Sequence, residues 1–151
     1  MMIMEKLKFA DPYLDNRLEE YFLFRWNILR APWKQPKGTE RDDLEEKSLQ
    51  RMLLNEQNEI IACGRLQLNS PQEAQIRYMA VDENYQGQGI GKMMMEELEN
   101  LAINAGAKTI VLQARENALD FYIASGYTTV KETFVLYGSI QHYLMVKKLV
   151  G

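Results

Sequence analysis

The chain of 151 residues has a single cysteine, a single histidine and only four prolines. One cysteine excludes an intrachain disulfide. Cys63 lies within the apolar run 60–64, which predicts a buried packing role, because free cysteine is among the most frequently buried residue types. No cluster of histidine, cysteine and carboxylate residues has the spacing of metal ligands, so we expect neither a metal site nor a metal cofactor.

Hydrophobic runs are also short. A membrane-spanning helix needs about 20 consecutive apolar residues, and no run in this sequence approaches that length. Residues 1–6 lack the long apolar core of a signal peptide. We therefore expect a cytoplasmic protein with no membrane partner.

Basic residues are not in excess. The 18 lysines and arginines are outnumbered by 21 aspartates and glutamates, which gives a formal net charge of −3. Because nucleic-acid-binding domains usually carry a basic face or stripe, we expect no nucleic-acid partner. With 46% hydrophobic residues, a chain of this length can bury a sizeable core, and we expect one domain over residues 1–151.

What the sequence does contain is a glycine-rich turn at residues 86–91, with glycine at every second position. The turn follows the apolar run 76–81 and precedes the amphipathic stretch 92–105. Such a turn leaves backbone N–H groups free to converge, and the helix that follows adds the positive end of its dipole. The segment therefore predicts a metal-free binding site for a phosphate group, and an ordinary strand-to-helix loop is the alternative.

The residues after the turn exclude two other phosphate-binding motifs. A P-loop has serine or threonine after its Gly-Lys pair, but here Gly91 and Lys92 are followed by Met93. A dinucleotide-binding turn has its third glycine where this chain has Lys92.

Hydrophobic periodicity and turn residues predict the element order β-α-(α)-β-β-β-α-β-α-β-β. Leu14 is predicted to lie on the apolar stripe of the first helix, and Gly106 is predicted to end the second. The three strands before the glycine turn are predicted to form an antiparallel meander. The predicted strands are 3–9, 49–54, 60–68, 74–81, 109–114, 128–136 and 140–149, and the predicted helices are 11–30, 90–105 and 118–125.

Two sequence patterns point to a known family. The turn reads Q-x-x-G-x-G, and residues 118–127 read A-x-x-F-Y-x-x-x-G-Y. Together with the element order, they resemble the GNAT superfamily of N-acyltransferases over nearly the whole chain, and residues 25–33, Arg65 and 138–142 are similar to a poorly characterised bacterial subgroup. The resemblance implies an α/β fold of the α+β type, in which helices flank a central, twisted, mostly antiparallel mixed sheet.

The same resemblance implies an activity. It predicts an N-acetyltransferase that moves an acetyl group from acetyl-CoA to a primary amine by direct attack in a ternary complex, with no metal. Because no appended domain or basic groove points to a macromolecule, we expect a small-molecule amine as the acceptor. Superfamily members often form dimers, so a homodimer is also expected. The alternative function is a CoA-binding or regulatory module with weak or no catalysis.

The resemblance further implies that acetyl-CoA lies along the glycine turn and the strand before it. Backbone N–H groups of residues 88, 89 and 91 would bind the pyrophosphate, and the strand edge at 79–81 would pair with the pantetheine amides. The N–H near Ala80 would bind the thioester oxygen, and simple core packing is the other role for this segment. The residues implied to bind the cofactor are Met79, Ala80, Val81, Gln86, Gly87, Gln88, Gly89, Gly91, Lys92, Arg115 and Asn117.

Arg115 marks a departure from the family pattern. Many family members carry asparagine three positions before the alanine of the short helix, which is Ala118 here, and that asparagine bonds the pantetheine arm. This chain has Arg115 there, which we interpret as a contact to the cofactor or to the substrate. Asn117 is interpreted first as the N-cap of the short helix. Lys92 is either a contact to a cofactor phosphate or a solvated lysine.

Tyr122 and His142 are the candidate catalytic residues. Family members often carry a tyrosine at the position of Tyr122, and a phenol with an ordinary pKa of about 10 stays protonated at neutral pH and can donate to a leaving thiolate. A wall beside the cofactor is its alternative role. The ordinary imidazole pKa of about 6.5 suits His142 to act as a general base, and a hydrogen-bonded structural role is the alternative.

Arginine residues are candidates for binding a substrate carboxylate or phosphate. Arg65 and Arg77 are preferred, because they fall on predicted central strands near the expected cleft. The acidic segment 40–46 predicts a solvated helix face, with attraction of a cationic amine as the alternative. Trp33 is a candidate for lining the acceptor pocket. The full set of arginine candidates is Arg25, Arg30, Arg65 and Arg77.

Overall fold

The computed structural model of the protein describes residues 6–149. Within that range the chain forms a seven-stranded sheet and three α-helices. The strands are β1 (Lys8–Ala10), β2 (Leu49–Leu54), β3 (Ile60–Leu68), β4 (Glu73–Val81), β5 (Thr109–Arg115), β6 (Thr128–Leu136) and β7 (Ile140–Lys148). The helices are α1 (Leu18–Leu29), α2 (Ile90–Asn104) and α3 (Leu119–Ala124). Of the helices in the described range, none has the length and apolarity needed to cross a membrane.

The sheet has the strand order β1-β2-β3-β4-β5-β7-β6. Strands β4 and β5 pair in parallel, and the other neighbouring strands described pair antiparallel. The expected mixed, mostly antiparallel sheet is thus confirmed, and so is the antiparallel meander from β2 to β4. The bracketed second helix is replaced by two short 3₁₀ turns, Ala31–Trp33 and Glu45–Lys47. Of the predicted first strand, residues 3–5 lie outside the described range.

The first helix begins later than predicted, at Leu18. The Asp11 carboxylate accepts a hydrogen bond from the Tyr13 N–H at 2.8 Å, which forms a local turn. Asn16 then adopts a positive φ of 54°, a left-handed conformation that an α-helix cannot contain. Leu14 therefore lies in a turn rather than on the apolar stripe, and it is 88% exposed.

Each face of the sheet is covered by one of the two long helices. Because successive residues of a strand point to opposite faces, neighbouring residues of β2 belong to different buried clusters. Leu53 packs in the cluster that contains the apolar stripe of α2, whereas Met52 and Leu54 pack with Tyr21 and Phe22 of α1. The sheet is therefore the middle layer of a three-layer domain.

Helix α2 ends at Gly106, as predicted. Gly106 has a φ of 90°, and its N–H donates to the carbonyl of Ile103 at 3.0 Å. The N–H of Ala107 donates to the carbonyl of Ala102 at 3.0 Å. These two bonds form a Schellman motif, which satisfies carbonyl groups at the end of the helix. The stripe that α2 buries against the sheet consists of Ile90, Met94, Met95, Leu98 and Ala102.

Strand β4 changes its surroundings halfway along. Its ladder with β5 ends at the pair Ile76–Leu112. Just beyond, the pairing with β3 shifts register between Cys63 and Arg65, and Tyr78 of β4 has a positive φ of 54°. This is a β-bulge, in which one extra residue of β4 bends the strand. Beyond it β4 and β5 separate, and one edge of β4 is left open.

Cys63 packs directly against this bulge. Its side chain is fully buried, and the thiol donates a hydrogen bond to the carbonyl of Tyr78 at 3.3 Å. Burial raises the pKa of the thiol to about 11, so Cys63 stays protonated at neutral pH. The predicted packing role is confirmed.

Candidate functional site

A cleft of about 1020 Å³ fills the space where β4 and β5 separate. Residues 75–81 of β4 line one side of it. The glycine turn and the start of α2 line a second side, and the end of β5 lines a third together with residues of α3, β6 and β7. One cleft therefore contains both the predicted phosphate site and the candidate catalytic residues.

The glycine turn leaves room for a ligand. Gly87 and Gly89 adopt φ values of 77° and 82°, which glycine reaches without strain. At both positions, no residue apart from the chain neighbours lies within 4 Å of where a Cβ would stand. The Met93 N–H donates to the carbonyl of Gly89 at 3.1 Å, which is the first hydrogen bond of α2. The N–H groups of residues 90–92 therefore have no acceptor within the helix. A pyrophosphate fits this arrangement, because the turn has open space, N–H groups without a partner in the helix, and the positive end of the helix dipole.

Most of the residues predicted to bind the cofactor line the cleft, but Gln88 does not. Its side-chain amide instead donates to the carbonyl of Asn84 at 3.3 Å and supports the turn. Gly91 lies in the first turn of α2, where a Cβ would stand 3.1 Å from the Phe121 ring, so α3 packs closely there because the side chain is missing. The predicted cofactor residues that line the cleft are Met79, Ala80, Val81, Gln86, Gly87, Gly89, Gly91, Lys92, Arg115 and Asn117.

The last residues of β4 have one paired edge and one open edge. Val81 pairs with Ala62, and Ala80 pairs with Cys63, both on β3. On the other edge, the ladder to β5 has already ended at Ile76. An open strand edge offers backbone N–H and C=O groups at regular spacing, which fits an extended ligand that contains amides.

Tyr122 lies on α3 and lines the cleft. Its ring packs edge to face against Phe121, with 5.0 Å between ring centroids, and against Tyr127 at 6.1 Å. Burial raises the pKa of the Tyr122 hydroxyl to about 12, so this group stays protonated at neutral pH. The contacts of Tyr122 are compatible with both of its predicted roles, proton donor and wall.

His142 lies on β7 opposite Arg115 of β5 and also lines the cleft. Its Nδ1 is 3.0 Å from the carbonyl oxygen of Ile140, and its ring stacks on Phe134 with 4.4 Å between centroids. A neutral imidazole that donates from Nδ1 keeps a lone pair on Nε2. Burial, together with the charge of Arg115, lowers the pKa of His142 below 6.5, so the ring is neutral at pH 7. The site thus contains a neutral imidazole with a structural hydrogen bond on one nitrogen.

Asn117 is not the N-cap of α3, and that prediction was wrong. Asn117 lies inside a 3₁₀ turn, Glu116–Ala118, that leads directly into the helix. The N-cap is therefore Ala118, which makes no side-chain hydrogen bond to the helix. Asn117 instead lines the cleft.

The two preferred substrate arginines differ in position. Arg65 is fully buried, hydrogen-bonds Asp42 through both terminal nitrogens at 2.6 and 2.9 Å, and does not line the cleft. It therefore cannot present its guanidinium to a substrate, contrary to expectation. Arg77 lines the cleft, is 40% exposed and pairs with the same carboxylate at 3.0 Å. Hydrogen bonds from Arg65 lower the pKa of Asp42 to about 2, so Asp42 is ionised and forms ion pairs with both arginines.

The acidic segment 40–46 is not a solvated helix face. Glu40 and Glu45 are only 3% and 7% exposed. The Glu45 carboxylate lies 2.9 Å from the guanidinium of Arg25 and 2.9 Å from that of Arg65. The prediction was wrong because α1 and β3 bury these two arginines, and buried cations require carboxylate partners.

Trp33 and Tyr137 join two loops beside the cleft. Their rings stack with 6.2 Å between centroids and 29° between planes. The guanidinium carbon of Arg115 lies 4.4 Å from the centroid of the Trp33 ring. Trp33 does not itself line the cleft, so its connection to the predicted acceptor pocket is through Arg115, which does.

Three further cleft residues were not preferred from the sequence: Arg30, Tyr78 and Phe134. Arg30 is one of the four arginine candidates and follows directly after α1, but no sequence signal favours it over Arg65. The positive φ of Tyr78 has no sequence signal, because non-glycine residues rarely adopt it. Phe134 lies on an edge strand whose exposed residues show no clear apolar face.

The charge of the cleft is one-sided. No aspartate or glutamate of residues 6–149 lines it. Nor does that part of the chain bring together three or more histidine, cysteine, aspartate or glutamate side chains in a way that could hold a metal ion. A cleft with cations and no carboxylate favours anionic ligands. Its cationic residues are Arg30, Arg77, Lys92 and Arg115.

Comparisons with known proteins agree with this geometry. The model of the acetyltransferase (GNAT) family matches residues 14–127. The chain is 25% identical over 133 residues to the uncharacterized N-acetyltransferase YjcF of Bacillus subtilis strain 168. The aligned region covers 88% of this chain and 94% of YjcF.

Solved structures share the fold. ElaA of Escherichia coli matches with a TM-score of 0.78 and 19% identity, over 95% of this chain and 99% of ElaA. An aminoglycoside 6′-N-acetyltransferase, whose crystal structure is a complex with coenzyme A, matches with a TM-score of 0.72 and 14% identity, over 95% of this chain and 98% of that one. The family model spans well over half of the sequence and includes β4, the glycine turn and α3. The chain therefore belongs to the GNAT family of acetyltransferases, enzymes that use acetyl-CoA.

Proposed function

We propose that the protein transfers the acetyl group of acetyl-CoA to the primary amine of a small metabolite by direct attack in a ternary complex. The observation that supports this most is the single cleft. The glycine turn, the open edge of β4 and the side chains of Tyr122 and His142 all border the same space. Donor and acceptor can therefore meet without a covalent intermediate on the protein.

We assign the binding of acetyl-CoA, the acetyl donor, to backbone groups. The N–H groups at the start of α2 bind the pyrophosphate, and the open edge at residues 79–81 pairs with the pantetheine amides. A backbone N–H near Ala80 donates to the thioester oxygen and polarises the carbonyl. Acetyl-CoA supplies the activated acetyl group.

The side chains are assigned to move two protons. As the amine nitrogen bonds to the carbonyl carbon, the carbon–sulfur bond breaks, the amine loses one proton and the thiolate gains one. His142 accepts the first proton on Nε2, and the Tyr122 hydroxyl donates the second. One proton gained by His142 balances one lost by Tyr122, and its return through water restores both groups.

Changing Tyr122 to phenylalanine is expected to lower kcat about 100-fold, which is a typical contribution of a positioned acid. The KM for acetyl-CoA should change little, because the ring that packs against Phe121 and Tyr127 is retained. Steady-state kinetics with a saturating amine measures both values. The matched control is Tyr13→Phe, since Tyr13 is 39% exposed and does not line the cleft. If Y122F and Y13F keep the same kcat, Tyr122 is only a wall of the cleft.

Changing His142 to asparagine separates its two predicted roles. The asparagine amide can keep the hydrogen bond to Ile140 that Nδ1 makes, but it offers no basic nitrogen at the position of Nε2. We expect kcat/KM to fall about 100-fold. In the unmodified protein, kcat/KM should rise with pH through the lowered pKa of His142, below 6.5, because only the neutral imidazole accepts a proton. That acidic limb should be absent from H142N. A pH profile of H142N with the limb still present would assign proton removal to another group.

A CoA-binding module with weak or no catalysis is the second candidate. One observation favours it: within residues 6–149, no carboxylate lines the cleft to act as a general base. Acetyl-CoA consumption against a panel of primary amines, combined with calorimetry of CoA binding, distinguishes the two functions. Turnover of any amine supports the acetyltransferase, whereas tight CoA binding with no turnover across the panel supports the module.

A further inference from the structure

Two arginines of the protein differ from all the others. The chain has eight arginines, all of them within residues 6–149. Six form ion pairs with carboxylates of the described residues, namely Arg17, Arg25, Arg41, Arg51, Arg65 and Arg77. Arg30 and Arg115 form none in that range, and both line the cleft.

Arg115 is held at one position in the cleft wall. Its guanidinium lies 4.4 Å from the centroid of the Trp33 ring, and Trp33 stacks in turn on Tyr137. On its other side, Arg115 neighbours His142 in the pairing of β5 with β7. A guanidinium stacked on an aromatic face keeps its N–H edge free for bidentate hydrogen bonds. Arg115 is therefore prepared to bind an anion beside the candidate base.

The guanidinium of Arg30 is held near Arg115 by backbone carbonyl groups rather than by carboxylates. Its side chain donates to the carbonyl of Thr39 at 2.9 Å and to that of Leu29 at 2.9 Å. These bonds orient the guanidinium without neutralising it. Arg30 also directly precedes the turn that carries Trp33, so both arginines are anchored to the same loop.

The two charges lie close enough to affect each other. Burial, and after it the positive charge of Arg30, lowers the pKa of Arg115. The other cleft cations do not share this site, because Arg77 is paired with Asp42 and Lys92 lies in the first turn of α2. Two uncompensated guanidinium groups in a partly buried site repel each other, and a bound anion removes that cost.

We propose that Arg30 and Arg115 bind an anionic group of the acceptor, so that the substrates are amines carrying a carboxylate or a phosphate. The inference rests on the proposed acetyl transfer and specifies its acceptor. Because Arg115 neighbours His142, the anion is bound next to the group assigned to deprotonate the amine. Purely cationic amines such as polyamines are disfavoured, since the cleft offers them no carboxylate within residues 6–149.

The experiment compares matched pairs of amines. α-Amino acids are each paired with their own α-carboxamide, and O-phosphoethanolamine is paired with ethanolamine, so the two arms separate carboxylate from phosphate. The ratio of kcat/KM within each pair is measured for the unmodified protein, Arg115→Gln, Arg115→Lys and Arg41→Gln. Arg41 is the control, because it is an exposed arginine outside the cleft. Comparing ratios between proteins cancels differences in amine basicity.

For Arg115→Gln, we expect kcat/KM to fall about 30-fold with the anionic member of a pair, through KM, which is the loss of one charge-assisted contact. The neutral member should lose far less, and because a change in the pKa of His142 affects both members alike, the ratio within a pair isolates the contact to the anion. R115K should recover part of the loss, and R41Q should keep the original ratio. Equal losses on both members of a pair, or a raised KM for acetyl-CoA in R115Q, would overturn the inference and assign Arg115 to the donor or to stability.

Product binding keeps this test separate from the test of catalysis. The affinities of N-acetylglycine and N-acetylglycinamide for the CoA complex are compared by calorimetry. If no amine is turned over, the proposed acetyl transfer fails. A preference for the acid that R115Q abolishes still supports an anion site at Arg115, whereas equal affinities overturn the anion site whether or not amines are acetylated.

Discussion

Replacing Gly89 with alanine is expected to weaken CoA binding about 1000-fold. Gly89 has a φ of 82°, and no residue apart from its chain neighbours lies within 4 Å of where its Cβ would stand. We assign that space to the pyrophosphate, so the new methyl group would push the phosphate oxygens away from the N–H groups of α2. Loss of two charge-assisted hydrogen bonds, each contributing about 1.5–3 kcal/mol, accounts for the size of the effect. Calorimetric titration with CoA measures it.

Gly106→Ala is the matched control for this variant. Gly106 lies at the other end of α2, has a φ of 90° and also has no residue apart from its chain neighbours within 4 Å of where a Cβ would stand. Alanine at either position carries a similar left-handed strain, about 1–2 kcal/mol. Both variants should therefore lose similar stability, and only G89A should lose affinity for CoA. Equal CoA affinities in the two variants would show that the pyrophosphate does not bind at the glycine turn.

Glu45→Gln is expected to lower the free energy of unfolding by about 3–5 kcal/mol, the usual cost of removing one partner of a buried ion pair. Arg25 is completely buried, and Glu45 is its only carboxylate partner among the described residues. Glutamine has the same shape but no charge, and arginine cannot release its proton. The variant therefore leaves a buried cation without a counter-ion. Urea denaturation followed by circular dichroism measures the change.

The neighbouring Glu46→Gln is the control for that loss. Glu46 is exposed and makes no ion pair among the described residues, so E46Q should change the free energy of unfolding by less than about 0.5 kcal/mol. Adding Arg25→Met to E45Q should restore part of the lost stability, because the uncompensated charge disappears. If E45Q and E46Q unfold at the same urea concentration, the buried pair does not stabilise the fold.

The order of the elements could be predicted because it is encoded locally. A short apolar run such as 109–114, and the glycine at the end of α2, each determine structure through their nearest neighbours in the chain. The phosphate turn was visible for the same reason, since its glycines and the following helix are contiguous. The late start of α1 was missed because one carboxylate and the left-handed Asn16 form turns within a segment of helical periodicity.

The roles of the charged residues could not be predicted, because they depend on contacts between distant segments. Arg65 and Asp42 are 23 positions apart, and nothing local to either indicates that they pair. An acidic run such as 40–46 looks solvated in sequence, since carboxylates are usually exposed. Only the fold brings the buried Arg25 against Glu45 and leaves Arg30 and Arg115 without acids in the described range. The sequence therefore indicated which arginines to consider but not which of them remain available to a ligand.

The bulge in β4 has a consequence for how this strand can evolve. In an uninterrupted strand, Ala80 would face the same side as Ile76, because residues an even number apart share a face. Instead, Ile76 packs in the cluster with α2, and Ala80 packs in the cluster with α1. The extra residue at Tyr78 puts the two halves of β4 in opposite phase. Closing the bulge at constant chain length would turn residues 79–81 over to the other face. Deleting one residue there would keep their faces but remove the bend that separates β4 from β5, so the strand must keep both the extra residue and its bulged conformation.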